Sequence, residues 1–223
     1  MAMWNGKMKA LTFTYDDGQY EDKRLAELFD RYGMKCTFNL IGSQLREAEQ
    51  IGKDERRLSI AEMRGIYKNH EIAMHTFNHP YLTKLDRDEV RAQILLDREK
   101  LIREFGDEPV GLAYPCGAYN DTVLDVLCEL EVKYARTNLS TYGFELPDKL
   151  LEWKFTCRHR EPQLMELAKE FALLKPDSPK LFSVMGHSYE FKTEEDWAFI
   201  ESFCEFLAGR DDIYYCTNAQ ALL

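Results

Sequence analysis

The stretch that decides the fold is Ala10-Leu11-Thr12-Phe13-Thr14-Tyr15-Asp16-Asp17-Gly18. Its first part, Ala10–Tyr15, is rich in β-branched and aromatic side chains and is typical of a buried strand. An amphipathic segment, Glu21–Tyr32, follows and ends at Gly33, a residue type that commonly closes a helix. A second apolar run, Cys36–Ile41, comes next. This order of strand, helix and strand predicts a βαβ unit with parallel strands.

The same alternation continues over the rest of the chain. Further strands are predicted at Glu71–Met74, Val110–Tyr114, Lys133–Thr137, Leu151–Cys157, Leu181–Met185 and Ile213–Cys216. Further helices are predicted at Met63–Asn69, from Asp86 to about Phe105, and at Asp121–Leu130, Pro162–Leu174 and Thr193–Leu207. The first of these follows Ser59-Ile60-Ala61-Glu62, which has the Ser-x-x-Glu form of a capping box. No linker or low-complexity segment interrupts them, so residues 1–223 are expected to form a single α/β domain. Local sequence leaves open whether the sheet is doubly wound or closed into a barrel.

The composition argues against several classes of partner. The chain has 29 Lys and Arg against 39 Asp and Glu, and its net charge of −10 repels phosphate backbones and anionic membranes. We therefore expect no nucleic-acid partner. No apolar run approaches the roughly 20 residues of a bilayer-crossing helix, so no membrane span is expected either. The chain as given is expected to be cytoplasmic, with export still open if a signal segment was removed. The oligomeric state is left undetermined by the sequence.

Clusters of polar residues follow the predicted strands, each at the point where a strand ends. They are Asp16-Asp17-Gly18, His75 to His79, Pro115-Cys116-Gly117, Thr137-Asn138, Arg158-His159 and His187. The carboxyl ends of the strands in parallel α/β folds form one face, and active sites collect there. The sequence therefore predicts one polar site built from six loops.

The segment His75-Thr76-Phe77-Asn78-His79 has His-x3-His spacing in a predicted loop that could direct both rings at one metal ion. Taken alone, the pair could also be two histidines satisfied by ordinary hydrogen bonds, and Asp16-Asp17-Gly18 could be an ordinary turn. Two imidazoles and one carboxylate on one face can hold a divalent ion and still leave positions for water and substrate. Only one of two adjacent aspartates points easily at such an ion, so its neighbour is free to accept a proton.

These motifs resemble the polysaccharide deacetylase family, the NodB-homology group that belongs to carbohydrate esterase family four. The resemblance is carried by Thr12–Gly18, by the loop His75–His79 and by Met185-Gly186-His187, in the family's order between about Lys9 and Ala219. The combination of Asp-Asp-Gly with His-x3-His is much more specific than either part. The resemblance implies a distorted (β/α)7 barrel, which is TIM-barrel-like.

The same resemblance implies a role for individual residues. Asp17, His75 and His79 are expected to hold a divalent transition metal, most often zinc. Asp16 is expected to be the catalytic base and His187 the general acid that gives a proton to the leaving group. The backbone N–H of Cys116 is expected to stabilise the developing oxyanion.

One position departs from the family pattern. Many members have Arg two residues before the motif proline, where this chain has Ala113. That arginine is expected to orient and polarise the base, so its loss puts the pKa and the placement of Asp16 in doubt. Arg158 and Arg136, both at predicted strand ends, could substitute, or either could form an ordinary surface ion pair.

Two aromatic residues beside the motifs, Tyr114 and Tyr189, are candidates for substrate contact, with core packing as the alternative for each. The sequence as a whole predicts a metal-dependent deacetylase that removes an acyl group, by preference N-acetyl, from a carbohydrate or a related amide. O-deacylation and a small non-sugar amide as substrate both stay open. A non-catalytic metal-binding or sugar-binding protein that lost activity with the arginine is a further alternative. An oxygenase with ferrous iron is disfavoured because such enzymes use double-stranded β scaffolds.

Overall fold

Lys9–Asp16 forms a fully buried strand in a computed structural model, which describes residues 3–52 and 55–223. Burial on both faces suits a strand of a parallel sheet that helices cover. The strands, in chain order, are β1 (Lys9–Asp16), β2 (Cys36–Leu40), β3 (Glu71–Met74), β4 (Gly111–Ala113), β5 (Tyr134–Ser140), β6 (Trp153–Phe155), β7 (Cys157–Arg158), β8 (Lys180–Gly186) and β9 (Ile213–Tyr215).

Helices connect most of these strands. They are α1 (Asp22–Arg31), α2 (Ile60–Ile66), α3 (Arg87–Phe105), α4 (Asp121–Glu129), α5 (Leu164–Leu173), α6 (Glu194–Leu207) and α7 (Asn218–Leu222). Two connections lack a helix: β5 to β6, where only a short 3-10 turn, Leu150–Glu152, lies, and β6 to β7, which a single residue joins. No helix of the described ranges is both long enough and apolar enough to cross a bilayer.

The sheet closes into a ring through the chain itself. Its strands pair in the order β6-β5-β4-β3-β2-β1-β8-β7, and every one of these ladders is parallel. The two ends of that order, β6 and β7, are separated along the chain by Thr156 alone. They therefore share one strand position in the barrel. β6 pairs with β5, and β7 pairs with β8. The ring has seven strand positions, and the prediction of a distorted (β/α)7 barrel is confirmed.

The amino-terminal end of the barrel is filled by the two ends of the described chain. β8 pairs with β1 along one edge, so β9 must use the other edge, where it pairs over Lys9–Leu11 before β2 pairs from Phe13 onward. Trp4 is buried there and donates its indole N–H to the carbonyl of Ala221 in α7, at 3.1 Å. This closure leaves the carboxyl ends of the strands as the open end of the barrel.

Two predictions about elements were wrong in detail. Leu151–Cys157 was expected to be one strand, but it forms a 3-10 turn and two short strands that pair with different neighbours. The second helix was expected over Met63–Asn69, after a capping box at Ser59–Glu62. That capping box is confirmed, since the hydroxyl of Ser59 accepts from the backbone N–H of Glu62, but the helix covers Ile60–Ile66 and ends before Asn69.

Candidate active site

All of the site residues chosen from the sequence line one pocket of about 260 Å³ at the open end of the barrel. Its lining consists of Asp16, Asp17, His75, His79, Tyr114, Cys116, Gly117, Arg136, Asn138, Arg158, Met185, His187 and Tyr189. Clefts of about 500, 580 and 550 Å³ elsewhere on the described surface are larger. Among the described residues, however, Asp17, His75 and His79 form the group of ligand-type side chains that converges closely enough to hold a metal ion, and it lies in the small pocket.

Three side chains converge as ligands of one metal ion would. One ligand atom each from Asp17, His75 and His79 lies within 4.8 Å of the other two. The Oδ1 atom of Asp17 is 3.5 Å from Nε2 of His75 and 3.9 Å from Nε2 of His79. The same oxygen is buried and has no hydrogen-bond donor among the residues that the structure describes. A buried carboxylate oxygen without a donor is costly, and a cation between these atoms would satisfy it.

The ring of His75 is held in the form that suits metal binding. Its Nδ1 atom is 2.8 Å from the carbonyl oxygen of Ala113. A carbonyl can only accept, so Nδ1 carries the proton and Nε2 keeps its lone pair for a metal. Burial lowers the pKa of His75, but the carboxylates of Asp16 and Asp17 outweigh burial and leave that pKa raised. The pocket therefore has the negative field that a divalent cation requires.

Arg136 makes the contact with Asp16 that Ala113 cannot make. The Nη2 atom of Arg136 donates to Oδ1 of Asp16 at 2.5 Å, and Asn39 donates to the same oxygen at 2.8 Å. Arg136 is itself only 2% exposed and is fixed by Thr14 Oγ1 at 3.2 Å, in addition to a backbone carbonyl. The guanidinium is therefore a rigid partner of Asp16, supplied by β5 rather than by the end of β4.

The charges around Asp16 keep it ionised. Burial would raise the pKa of its carboxyl, but Arg136, His75 and His187 outweigh burial and lower the pKa to about 2. Its second oxygen, Oδ2, is 4.0 Å from Nε2 of His75 and 3.9 Å from Nε2 of His187. Oδ1 thus binds the supporting donors, while Oδ2 remains on the side of the pocket where both imidazoles stand.

His187 lies between two carboxylates. Its Nε2 atom is 3.9 Å from Oδ2 of Asp16, and its Nδ1 atom is 3.8 Å from Oε2 of Glu190. Burial lowers the pKa of His187, but Glu190 and then Asp16 outweigh burial, so the net pKa is raised. Oε2 of Glu190 is also 3.4 Å from the buried His159, whose ring stacks between Tyr15 and Phe191. Glu190 thus favours the protonated form of His187 that a general acid needs.

Backbone strain is concentrated around the pocket. Asp17, Thr76, His79 and Cys116 have φ angles of 80°, 64°, 56° and 56°, in the left-handed region that non-glycine residues seldom occupy. Such conformations persist where the surroundings fix them, and they are common at functional sites. The strain here is consistent with a site whose side-chain directions are set by the backbone.

The remaining predicted residues differ in how closely they approach the centre. Tyr189 is 37% exposed, and its ring lies 5.1 Å from that of His187, so it is open to a substrate. Tyr114 is only 2% exposed and donates its hydroxyl to the carbonyl of Leu151, which favours packing. Arg158 lines the pocket, but its guanidinium forms no ion pair with a carboxylate of residues 3–52 or 55–223. Cys116 lies in the turn that Asn138 fixes by donating to its carbonyl at 2.9 Å.

Sequence reasoning missed Asn39, Glu190 and Asp97, which support the site from behind. Asp97 had a detectable signal, because it occupies the buried stripe of α3 with Val90, Ile94 and Leu101 at helical spacing. A carboxylate in an apolar stripe needs buried partners, and Asp97 has them in the backbone N–H groups of Gly42 and His75. Asn39 is likewise a polar residue within a fully buried strand. Glu190 carried no comparable signal.

Comparisons with known proteins identify relatives of this chain. The YlxY protein of Bacillus subtilis, described as uncharacterized, is 26% identical over 58% of this chain and 37% of its own length. The peptidoglycan-N-acetylglucosamine deacetylase PgdA of Listeria monocytogenes is 27% identical over 52% of this chain and 23% of its own length. The chain thus spans less than two fifths of the length of either relative.

A crystal structure of a polysaccharide deacetylase candidate from Mycobacterium smegmatis has the same fold. It superposes with a TM-score of 0.72 over 99% of this chain and 91% of that chain, at 19% identity. The sequence profile described as polysaccharide deacetylase matches residues 5–135, which is more than half of the chain and includes four of the five principal site residues. The chain belongs to the polysaccharide deacetylase family.

Proposed function

We propose that the protein is a metal-dependent deacetylase that hydrolyses an N-acetyl group on a carbohydrate. The observation that carries this proposal is the convergence of Asp17, His75 and His79 beside a buried, ionised Asp16 and a protonatable His187. Two imidazoles and one carboxylate form a ligand set that suits zinc and related divalent ions and leaves coordination positions open. Membership of the polysaccharide deacetylase family supports the same chemistry.

A divalent ion in this site would supply Lewis acidity, which polarises a carbonyl and makes a water molecule easier to deprotonate. Asp16 accepts the proton of the attacking water through Oδ2, because Arg136 and Asn39 already bind its Oδ1. The oxygen of that water bonds to the acetyl carbonyl carbon and forms a tetrahedral centre. When this centre collapses, the C–N bond breaks, His187 gives a proton to the leaving amine, and acetate is released. Cys116 is proposed to donate its backbone N–H to the oxyanion.

The proposed substrate class is an N-acetylated glycan. One curated relative is named a peptidoglycan-N-acetylglucosamine deacetylase, which supports an acetylated amino sugar as the group that is cleaved. The pocket of about 260 Å³ has room for an acetyl group and part of one sugar ring, so the rest of a polymer would lie across the open end of the barrel. Tyr189 is exposed at that end and offers an aromatic face to a ring.

The test combines metal analysis with acetate release. The purified protein is stripped with a chelator, reloaded with zinc, and assayed on N-acetylglucosamine oligomers, peptidoglycan fragments and small N-acetyl amides. We expect zinc-dependent acetate release from the glycans, with Asp16→Asn lowering kcat by about 100-fold or more. His79→Ala should abolish zinc retention, whereas His187→Ala should keep the zinc and lower kcat. Zinc binding without turnover on any substrate would instead favour a binding protein. Turnover of the small amides alone would reassign the substrate class.

A further inference from the structure

The loop that carries both metal-site histidines has an unfavourable backbone conformation. Thr76 and His79 have φ angles of 64° and 56°, and neither is a glycine. Left-handed backbone at a β-branched residue such as Thr76 is especially uncommon. The loop therefore requires contacts from outside itself that hold it in this shape.

Helix α3 supplies those contacts from two residues four positions apart. The Oδ2 atom of Asp97 accepts from the backbone N–H of His75 at 3.0 Å. The side-chain oxygen of Gln93 accepts from the backbone N–H of Asn78 at 2.8 Å. The backbone carbonyl of Gln93 accepts from the backbone N–H of Phe77 at 3.2 Å. Residues four apart lie on one face of a helix, so one face of α3 binds the backbone at both ends of the stretch 75–78.

The second oxygen of Asp97 fixes the neighbouring loop to the same helix. Its Oδ1 atom accepts from the backbone N–H of Gly42 at 2.8 Å, and a Cβ atom on Gly42 would lie only 2.6 Å from that oxygen. Ser43 in turn donates its backbone N–H to the carbonyl of Phe77 at 2.9 Å. Asp97 is 0% exposed, so both of its oxygens serve these loops rather than solvent.

We propose that Gln93 and Asp97 form a backbone clamp that sets the separation of His75 and His79, and through it the affinity of the site for a divalent metal. Both are positioning residues, because neither side chain points a ligand atom at the metal site itself. The inference rests on the proposed metal-binding function of Asp17, His75 and His79. It goes beyond that function by assigning metal affinity to contacts on a helix outside the pocket.

The physical reason is the population of the binding-competent loop. A metal ion needs its ligand atoms within a few tenths of an ångström of fixed positions. If the loop 75–79 relaxes toward ordinary φ angles, the two rings separate and the apparent metal affinity falls in proportion to the competent fraction. Contacts that orient metal ligands from outside typically change affinity by about 10-fold to 100-fold.

Gln93 offers the sharper test because it is partly exposed and its replacement should leave folding intact. Gln93→Met keeps the length of the side chain but removes the acceptor, whereas Gln93→Glu keeps an acceptor. Zinc affinity is measured by competition with a chromophoric chelator, alongside the melting temperature of the metal-free protein. We expect Gln93→Met to bind zinc about 10-fold more weakly, and Gln93→Glu to bind it at least as tightly as the wild type. Glu99→Met, on an exposed position of the same helix, is the matched control and should leave the affinity unchanged.

Asp97→Asn provides a second variant, since its amide N–H would face a backbone N–H that now donates to Asp97. We expect a larger loss of zinc affinity and faster amide hydrogen exchange at His75 and Gly42 in the metal-free protein. Equal zinc affinity in Gln93→Met, Asp97→Asn and the wild type would overturn the clamp and leave the proposed function standing. A wild-type protein that binds no zinc would overturn the metal site and the clamp together.

Discussion

Asp16 depends on a cation that β5 supplies. Burial raises the pKa of the Asp16 carboxyl, but Arg136, whose Nη2 atom lies 2.5 Å from Oδ1, acts with His75 and His187 to lower that pKa to about 2. Replacing Arg136 with Met should raise that pKa, so the acid limb of the kcat/KM profile should move to higher pH. Loss of one partner of a buried ion pair should also cost about 3–5 kcal/mol of unfolding free energy. The checks are a pH–rate profile and urea denaturation of the zinc-loaded protein.

Two variants show whether this effect belongs to Arg136. Arg136→Lys keeps a positive charge and should preserve more of the acid limb than Arg136→Met does. Arg158→Met removes the other arginine of the pocket, which has no ion pair with Asp16, and should leave the acid limb in place. An acid limb that moves with Arg158 instead would contradict the assignment of Arg136 as the support of the base.

Glu190 should control the opposite limb of the profile. Its carboxylate, 3.8 Å from Nδ1 of His187, helps to raise the pKa of that imidazole. With Glu190→Gln the pKa of His187 should fall, so the proposed general acid would lose its proton at lower pH and the basic limb would shift to lower pH. The loss of kcat at neutral pH should be smaller than in His187→Ala, and metal content should not change. A basic limb that stays in place would separate Glu190 from the general acid.

At the level of single residues, the sequence predicts the side chains that line the pocket and misses several that support them from behind. Asp17, His75 and His79 are recognisable because each follows the end of a strand, where parallel folds direct polar side chains to one face. The choice of Arg136 over Arg158 depends on which side chain reaches across the barrel to Asp16. That distance is a property of barrel closure, so local sequence does not contain it.

Among the elements, the sequence pattern and the structure differ most at β6 and β7, which share one strand position in the barrel. The run Leu151–Cys157 has the apolar content of one strand, yet the structure breaks it at Thr156. Thr156 donates its backbone N–H to the carbonyl of Ser183 at 3.0 Å, and the backbone N–H of Ser183 donates to Thr156 Oγ1 at 3.1 Å. This exchange moves the chain from β5 to β8, and it depends on a strand nearly 30 residues away. Propensity over seven residues cannot anticipate it.

The contact between the end of β8 and the residue that follows β7 should tolerate no added side chain. A Cβ atom at Gly186 would lie 1.7 Å from Nδ1 of the buried His159. Gly186→Ala should therefore lower the unfolding free energy by about 2 kcal/mol or more, as overpacking of a rigid core does. Gly65→Ala is the matched control, because nothing lies within 4 Å of its Cβ position in α2. That change should stabilise the protein by about 0.5–1 kcal/mol. Both values follow from urea denaturation, and equal stability of the two variants would contradict the packing assigned to His159.

For the whole molecule, the pH dependence of stability is a sum of buried groups with opposite effects. Burial lowers the pKa of His70 and His159 to about 4, so the contribution of each to the unfolding free energy falls as pH drops from about 6.5 toward 4. Burial raises the pKa of Asp22 and Asp97 to about 7, so their contribution is present below about 4 and is lost as pH rises toward 7. The histidines and the aspartates have opposite effects on the unfolding free energy over the same pH range. The pH dependence of the wild type alone therefore cannot separate the two contributions.

A variant at His70 isolates one contribution, and His70 lies at the opposite end of β3 from the candidate metal site. Its Nδ1 atom accepts from the backbone N–H of Cys36 at 3.3 Å, an acceptor role that the side-chain oxygen of Asn can reproduce. The unfolded wild type protonates His70 near pH 6.5 and the folded protein only near pH 4, so acid favours unfolding of the wild type. Relative to the wild type, His70→Asn should therefore gain about 2–3 kcal/mol of unfolding free energy between pH 7 and pH 4.5. Urea denaturation of the metal-free proteins at both pH values measures that gain. A difference between the two proteins that stays constant with pH would show that His70 is not a neutral, buried imidazole.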